Sequence, residues 1–295
     1  MLGYAVTVFQ RAERKEAKHD MTELLILAVC LAASALIITL GLVIMRRMKK
    51  KPGAVIKIIY CVFVCLLVFS GGTFVYLSIY YKATDRAVAA LSGSDNVKVT
   101  SSEDGYLFDG SGKDTLLIFY PGAKVESEAY APLMNSIAES GVDCFLLTMP
   151  FHLAILDINA ADRVIESHRY EHIIVSGHSL GGTAASYWAS QSSKADAIVL
   201  LASFPSSALA DSMRLLSVYG SEDGVLVKSQ YEGSRQYFPE NSRELVIEGG
   251  NHAGFGDYGF QSGDKEALIS AEKQQQITAE AVSQLASELQ SSKSK

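Results

Sequence analysis

Gly177-His178-Ser179-Leu180-Gly181, preceded by His172-Ile173-Ile174-Val175 and followed by Gly182-Thr183-Ala184-Ala185-Ser186, decides how this chain reads. The apolar run before it predicts a strand, and the small residues after it predict the first turns of a helix. A serine on so sharp a turn between strand and helix is a nucleophile elbow. Its backbone is strained, and side chains two positions away on either side would collide, so Gly177 and Gly181 supply the missing bulk. A bare G-x-S-x-G arises by chance in about one chain in ten of this length, so the strand before it and the helix after it carry the reading. The elbow presents the Ser179 hydroxyl above the carboxyl end of a sheet and aims the Leu180 N–H at the place where an oxyanion would form.

A serine hydroxyl is a poor nucleophile until a base takes its proton, and the base needs an acid to orient it. Behind an elbow these partners follow in the order Ser, acid, His, each after a later strand. Asp223 lies in Gly220-Ser221-Glu222-Asp223-Gly224, after a strand at 215–219, and His252 lies in Gly249-Gly250-Asn251-His252, after a strand at 244–247. Glu222 competes with Asp223 as the acid, and Asp257 is a more distant competitor. The second oxyanion donor belongs in the loop Pro121-Gly122-Ala123-Lys124, with Ala123 the chosen N–H and Gly122 letting the backbone approach closely. Lys124 either adds positive charge at the mouth or is a solvated side chain. His152, after a strand at 144–148, is a further pocket candidate. His168 and His172 read as surface residues, His19 belongs to the tail, and His178 reads as a packing residue.

Around the elbow, apolar runs at 115–120, 144–148, 173–175, 197–202, 215–219 and 244–247 read as strands. The stretches 127–140, 159–167, 180–191, 226–237 and 269–289 read as helices. Such alternation implies a parallel sheet covered by helices on both faces, with 97–108 supplying leading antiparallel strands. Only about ten residues separate the strand near Ser203 from the next near Arg214, the minimum for a crossover. No cap domain fits there, which predicts a shallow, open pocket.

The N-terminal part has another character. Residues 24–45 and 58–81 hold no charged side chain, and each exceeds the length of about 20 residues that crosses a bilayer as a helix. The loop 46–57 between them carries Arg46, Arg47, Lys49, Lys50, Lys51 and Lys57 and no acid, which places it in the cytoplasm and everything after Tyr81 outside. Tyr76, Tyr80 and Tyr81 fit an outer interfacial belt. The tail 1–23 mixes both charge signs and opposes an N-out orientation, and Met21 is an alternative start. A linker at 82–96 then leads to a domain at 97–290 and a tail at 291–295. Residues up to Tyr81 hold ten Lys or Arg and four Asp or Glu of the chain's 26 and 32, which leaves the remainder with 16 basic and 28 acidic groups, a formal charge of −12. That excludes a nucleic-acid binder. Cys144 is the only cysteine after the spans, so no intradomain disulfide or cysteine-based metal site is expected there.

The elbow with Gly182, the acid loop 220–224 and the stretch Gly249-Gly250-Asn251-His252-Ala253-Gly254-Phe255-Gly256-Asp257-Tyr258-Gly259 together resemble the α/β-hydrolase superfamily. Within it they look like the compact, capless branch related to dienelactone hydrolases and carboxylesterases. The likeness spans about 105–289 and leaves the membrane hairpin outside. It implies an α/β-hydrolase fold with nucleophile Ser179, acid Asp223 and base His252, no metal and no organic cofactor. Two residues depart from the pattern. Pro121 stands where many relatives have His before the oxyanion Gly, and a serine replaces the thiol of true dienelactone hydrolases, which argues against a strict dienelactone substrate. The expectation is a membrane-anchored serine hydrolase acting outside the cytoplasmic membrane on a small-molecule ester or related acyl compound through an acyl-enzyme. The alternatives are an acyltransferase on the same triad and a noncatalytic, membrane-tethered binding module. The sequence names neither the substrate nor a protein partner.

Overall fold

A computed structural model describes residues 28–48, 52–112 and 114–293. The expected tail 1–23, the alternative start at Met21, the beginning of the first span, Lys49 to Lys51 of the basic loop and the last two residues lie outside the described residues. Two compact units are present, one ending at Ile79 and the other running from Tyr80.

In the first unit, helix α1 is described over Ala28–Arg47 and α2 spans Ala54–Leu77. At 1.5 Å per residue these are about 30 and 36 Å long, sufficient for a hydrocarbon core of about 30 Å. They pair antiparallel: Tyr60 donates its hydroxyl to the Ile37 carbonyl at 2.7 Å, and Gly72 lies close to Cys30, where a Cβ would meet the sulfur at 3.1 Å. The second span was expected at 58–81. The helix instead takes in Lys57 and stops at Leu77, because Tyr80 and Tyr81 belong to the second unit. There the Tyr81 N–H donates to Lys124 O at 2.7 Å, Tyr81 O accepts from the Glu126 N–H at 2.9 Å, and the Tyr80 ring lies 4.0 Å from that of His152.

The second unit is a mixed, mostly parallel sheet of eight strands between helices. The strands are β1 (Lys98–Ser101), β2 (Gly105–Asp109), β3 (Thr115–Tyr120), β4 (Asp143–Leu147), β5 (His172–His178), β6 (Ala197–Leu201), β7 (Arg214–Gly220) and β8 (Ser242–Ile247), in the order β1-β2-β4-β3-β5-β6-β7-β8. Only β1–β2 and β2–β4 are antiparallel. The central strand β3, Thr-Leu-Leu-Ile-Phe-Tyr, is buried throughout and shows why a two-faced sheet reads as a continuous apolar run. Leu117 and Phe119 pack on one face with Leu133, Met134 and Ile137 of α4 (Ala131–Glu139) and Val282 and Leu285 of α8 (Ala271–Lys293). Leu116 and Ile118 pack on the other with Val164 of α5 (Ala160–Ser167) and Trp188 of α6 (Leu180–Gln191). The β6–β7 crossover, 202–213, contains no helix.

The stretch expected as a linker, 82–96, is folded. Helix α3 (Asp85–Ala90) starts at Thr84, whose Oγ1 accepts from the Ala87 N–H, and Ala87 is fully buried. Thr84 N–H donates to Asp257 O at 2.9 Å, Arg86 pairs with Asp257 and Glu272, and Asn135 donates to Ala90 O at 2.6 Å. A soluble fragment starting at Tyr80 will therefore melt higher than one starting at Val97. The several bonds lost sum to about 3 kcal/mol, which is about 6–12 °C in a domain of this size. Equal melting temperatures for the two fragments would mean that 80–96 contributes nothing.

Candidate active site

Strand ends gather the expected residues at one edge of the sheet. Ser179 follows β5 with φ 53° and ψ −126° and caps α6, helix α7 (Lys228–Ser234) follows the acid loop, and His252 opens a short 3₁₀ turn at Ala253–Phe255. The left-handed φ of Ser179 costs about 1–3 kcal/mol and is held from both sides: its N–H donates to Leu201 O at 2.9 Å, and its carbonyl accepts from Ser203 Oγ at 2.7 Å. The elbow glycines answer a close approach. A Cβ on Gly177 would lie 2.6 Å from the Gly181 and Gly182 backbone, one on Gly181 would run into the carbonyls of Tyr120 and Pro121, and one on Gly182 would lie 2.6 Å from Ser203 Cβ.

Asp223 and His252 meet. Oδ2 of Asp223 lies 2.9 Å from Nδ1 of His252, and both side chains are about 1% exposed. Oδ1 accepts from the N–H groups of Val225 and Leu226 at 2.8 and 2.7 Å, which fixes the carboxylate. A carboxylate on Nδ1 places the ring proton there and leaves Nε2 as the acceptor, and Nε2 is buried with no hydrogen-bond partner among the described residues. Glu222 turns elsewhere, toward Lys265 Nζ at 3.9 Å, and Asp257 is bound to Arg86. Neither reaches His252.

On the oxyanion side, the Gly122 N–H donates to the Tyr130 hydroxyl at 3.1 Å and the Lys124 N–H to His152 O at 2.8 Å. The N–H groups of Ala123 and Leu180 have no partner among the described residues. His152 thus braces the loop 121–124 through its carbonyl, and burial lowers its imidazole pKa against the opposing pull of Glu126 and Glu128. One histidine needs correction. His172, expected at the surface, is buried as the first residue of β5, 3.7 Å from Asp196. His178 packs, as expected, and also makes a polar contact: Nδ1 lies 2.8 Å from the Tyr130 hydroxyl, and its ring centroid is 4.6 Å from that of His252.

Residues 116–276, more than half of the chain, match the family model described as the alpha/beta hydrolase family. The chain belongs to the alpha/beta hydrolase family. No curated protein matches it. Among solved structures, this alpha/beta hydrolase is similar to a ferulic acid esterase from Streptomyces cinnamoneus, with 17% identity, TM-score 0.49, and 58% of this chain and 66% of that one covered. It is also similar to the alpha/beta hydrolase domain-containing protein 10 from mouse, with 13% identity, TM-score 0.47, and coverage of 65% and 99%. A third is carboxyl esterase 2 from the fungus Tuber melanosporum, with 13% identity, TM-score 0.47, and coverage of 69% and 89%.

Sequence reasoning missed Asp264. This buried carboxylate of the alpha/beta hydrolase accepts from the N–H groups of Gly224 at 3.0 Å, His252 at 3.2 Å and Ala253 at 2.8 Å, so it bolts the acid loop to the histidine loop. Nothing in Gly263-Asp264-Lys265 signals this, because the bonds run to residues 11 to 40 positions away. Ser203, Tyr130 and Gln274, which clamps Asn251 through both backbone groups, were missed for the same reason.

Burial, reinforced by neighbouring His252, holds the His178 imidazole well below its usual 6.5. His178 is therefore neutral in the native state but binds a proton below pH 6.5 in the unfolded chain. Since the unfolded state binds more protons there, stability is intact above pH 6.5 and declines as the pH falls. The decline sets in as the pH falls through 6.5 and continues while the native ring stays neutral. Melting curves at pH 7 and pH 5 should show this decline in the wild type and a smaller one in His178→Asn. Equal declines would contradict it.

Proposed function

We propose that this alpha/beta hydrolase is a membrane-anchored serine hydrolase that cleaves short-chain esters or related acyl bonds through an acyl-enzyme. The observation that carries the reading is the buried Asp223–His252 pair, 2.9 Å apart, with an unpartnered Nε2 at the same sheet edge as a strained elbow serine. His252 Nε2 takes the hydroxyl proton as Ser179 Oγ bonds to the acyl carbon. The carbonyl electrons move to oxygen, which accepts from the Leu180 and Ala123 N–H groups. As the carbonyl re-forms, the bond to the leaving alcohol breaks and the alcohol receives the proton from His252. Water then repeats the sequence on the acyl-enzyme, with His252 as base and then acid. Asp223 holds the imidazole orientation and stabilises its positive charge. The helix-free β6–β7 crossover supports a shallow site, hence short acyl groups.

Ser179→Ala will abolish both turnover of short p-nitrophenyl esters and labelling by a fluorophosphonate. Asp223→Asn will lower kcat by about 10³–10⁴-fold, and Glu222→Gln by less than about 3-fold. A reversal of the two acid effects would remove Asp223 from the triad. A folded wild-type chain that refuses the probe and every ester would sink the hydrolase reading.

For the anchor, α1 and α2 expose Leu36, Phe63 and Phe69 along their lengths, a surface too apolar to face water over such an extent. The six-cation loop between the spans supports a cytoplasmic hairpin turn, with the catalytic domain outside. Single cysteines introduced near Ser94 should take an impermeant reagent in intact cells, while one at Lys50 should not. Labelling at Lys50 alone would invert the topology.

A further inference from the structure

We infer that Tyr130 is a strut that sets the spacing of the two oxyanion donors, with His178 as its footing on the elbow. This rests on the serine-hydrolase reading and assigns a positioning role that reading does not use. The two donors, the N–H groups of Ala123 and Leu180, sit on different loops, one after β3 and one after β5. A hole built from two loops works only if their separation is held while charge develops on the oxygen, because preorganised donors contribute without rearranging.

Tyr130 spans those loops. Its hydroxyl accepts from the N–H of Gly122, the residue before Ala123, at 3.1 Å, and lies 2.8 Å from Nδ1 of His178, two residues before Leu180. The polarity of the chain of bonds follows from valence. The Gly122 N–H can only donate, so the phenol oxygen accepts there, and the single phenol hydrogen goes to His178 Nδ1. The imidazole proton then sits on Nε2, which is buried without a partner among the described residues; a second proton on Nδ1 would leave the phenol hydrogen unpaired as well. His178 is accordingly neutral, consistent with the depressed basicity that burial imposes on it.

The strut is stiff. Tyr130 is fully buried, with ring centroids 4.9 Å from Phe119 and 6.4 Å from Tyr258, and burial keeps its hydroxyl protonated by raising its pKa. Gly122 is cut to fit it: a Cβ there would lie 2.8 Å from both the Tyr130 hydroxyl and His178 Nδ1. The same bond spends the Gly122 N–H, so the neighbouring Ala123 N–H is the one left for substrate.

The test uses the full-length chain in detergent micelles, with a short p-nitrophenyl ester and a fluorophosphonate as probes. Tyr130→Phe keeps the ring and removes the strut. It should lower kcat by about 10–100-fold, less than the roughly 10²–10³-fold that follows loss of a whole donor, with KM changed by less than about 3-fold. His178→Leu removes the acceptor and should behave like Tyr130→Phe. His178→Asn puts Oδ1 where Nδ1 stood and should recover kcat to within about 5-fold of wild type. The Tyr130→Phe/His178→Leu double variant should be no worse than either single variant, because both remove one strut. Wild-type kcat in Tyr130→Phe, or equal losses in His178→Asn and His178→Leu, would overturn the role. Should Tyr130→Phe fail to fold, the two His178 variants carry the same contrast. A wild-type chain that neither turns over ester nor takes the label removes the hydrolase reading and the strut with it. One that does both while Tyr130→Phe keeps full kcat removes the strut alone.

Discussion

The left-handed backbone of Ser179 is the constraint to which the rest of the domain answers. No L-residue adopts φ 53° with ψ −126° without strain, so the surroundings have to over-determine it. They do so by close approach. Helix α6 starts so near the ends of β3 and β5 that the Gly181 position abuts the Tyr120 and Pro121 carbonyls, and β6 supplies both Leu201 O for the Ser179 N–H and Ser203 Oγ for its carbonyl. Three neighbouring parallel strands therefore converge on one serine. Their register, with Tyr120 beside Gly177 and His178 beside Leu201, is the register that makes the convergence possible.

Loops, unlike strands, have no ladder to fix them, and here carboxylates and amides take that role. Asp264 gathers N–H groups from two loops, Asp223 gathers two from its own turn, and Gln274 brackets Asn251. Each is a buried acceptor or donor satisfied by backbone, the arrangement in which a buried polar group fixes geometry instead of costing stability. The Asp223–His252 bond thus sits inside a braced assembly, because Asp264 accepts from both of the loops that carry it.

Legibility from sequence follows the range of the physics. The elbow was readable because its steric requirement falls within five residues, and the strands were readable because burial on both faces writes continuous apolar runs such as Leu116 to Tyr120. The leading antiparallel strands and the order Ser179, Asp223, His252 came from the same local signals. Asp264, Tyr130 and Ser203 were invisible because they act across loops with no periodicity. Residues 82–96 misled because Leu91-Ser92-Gly93-Ser94-Asp95-Asn96 has the composition of a linker, whereas the packing of Ala87 leaves no compositional trace. His172 misled because β5 begins at that residue, earlier than its apolar run suggests. The second span was drawn too long because a tyrosine that packs on a domain and one that lies in a membrane interface look alike in sequence.

The two neighbouring imidazoles, tilted 51° to each other, show how burial divides roles between chemically identical side chains. With ring centroids 4.6 Å apart, His178 and His252 cannot both carry a proton in a site this dry, since two like charges at that distance repel by several kcal/mol even at a moderate effective dielectric. The protein resolves the conflict with unequal partners. Nδ1 of His252 faces the Asp223 carboxylate, whereas Nδ1 of His178 faces the neutral Tyr130 phenol. Burial keeps the elbow histidine neutral as part of the frame. The neighbour, rather than the ring, makes the difference: the same side chain meets a carboxylate at one position and a neutral phenol at the other.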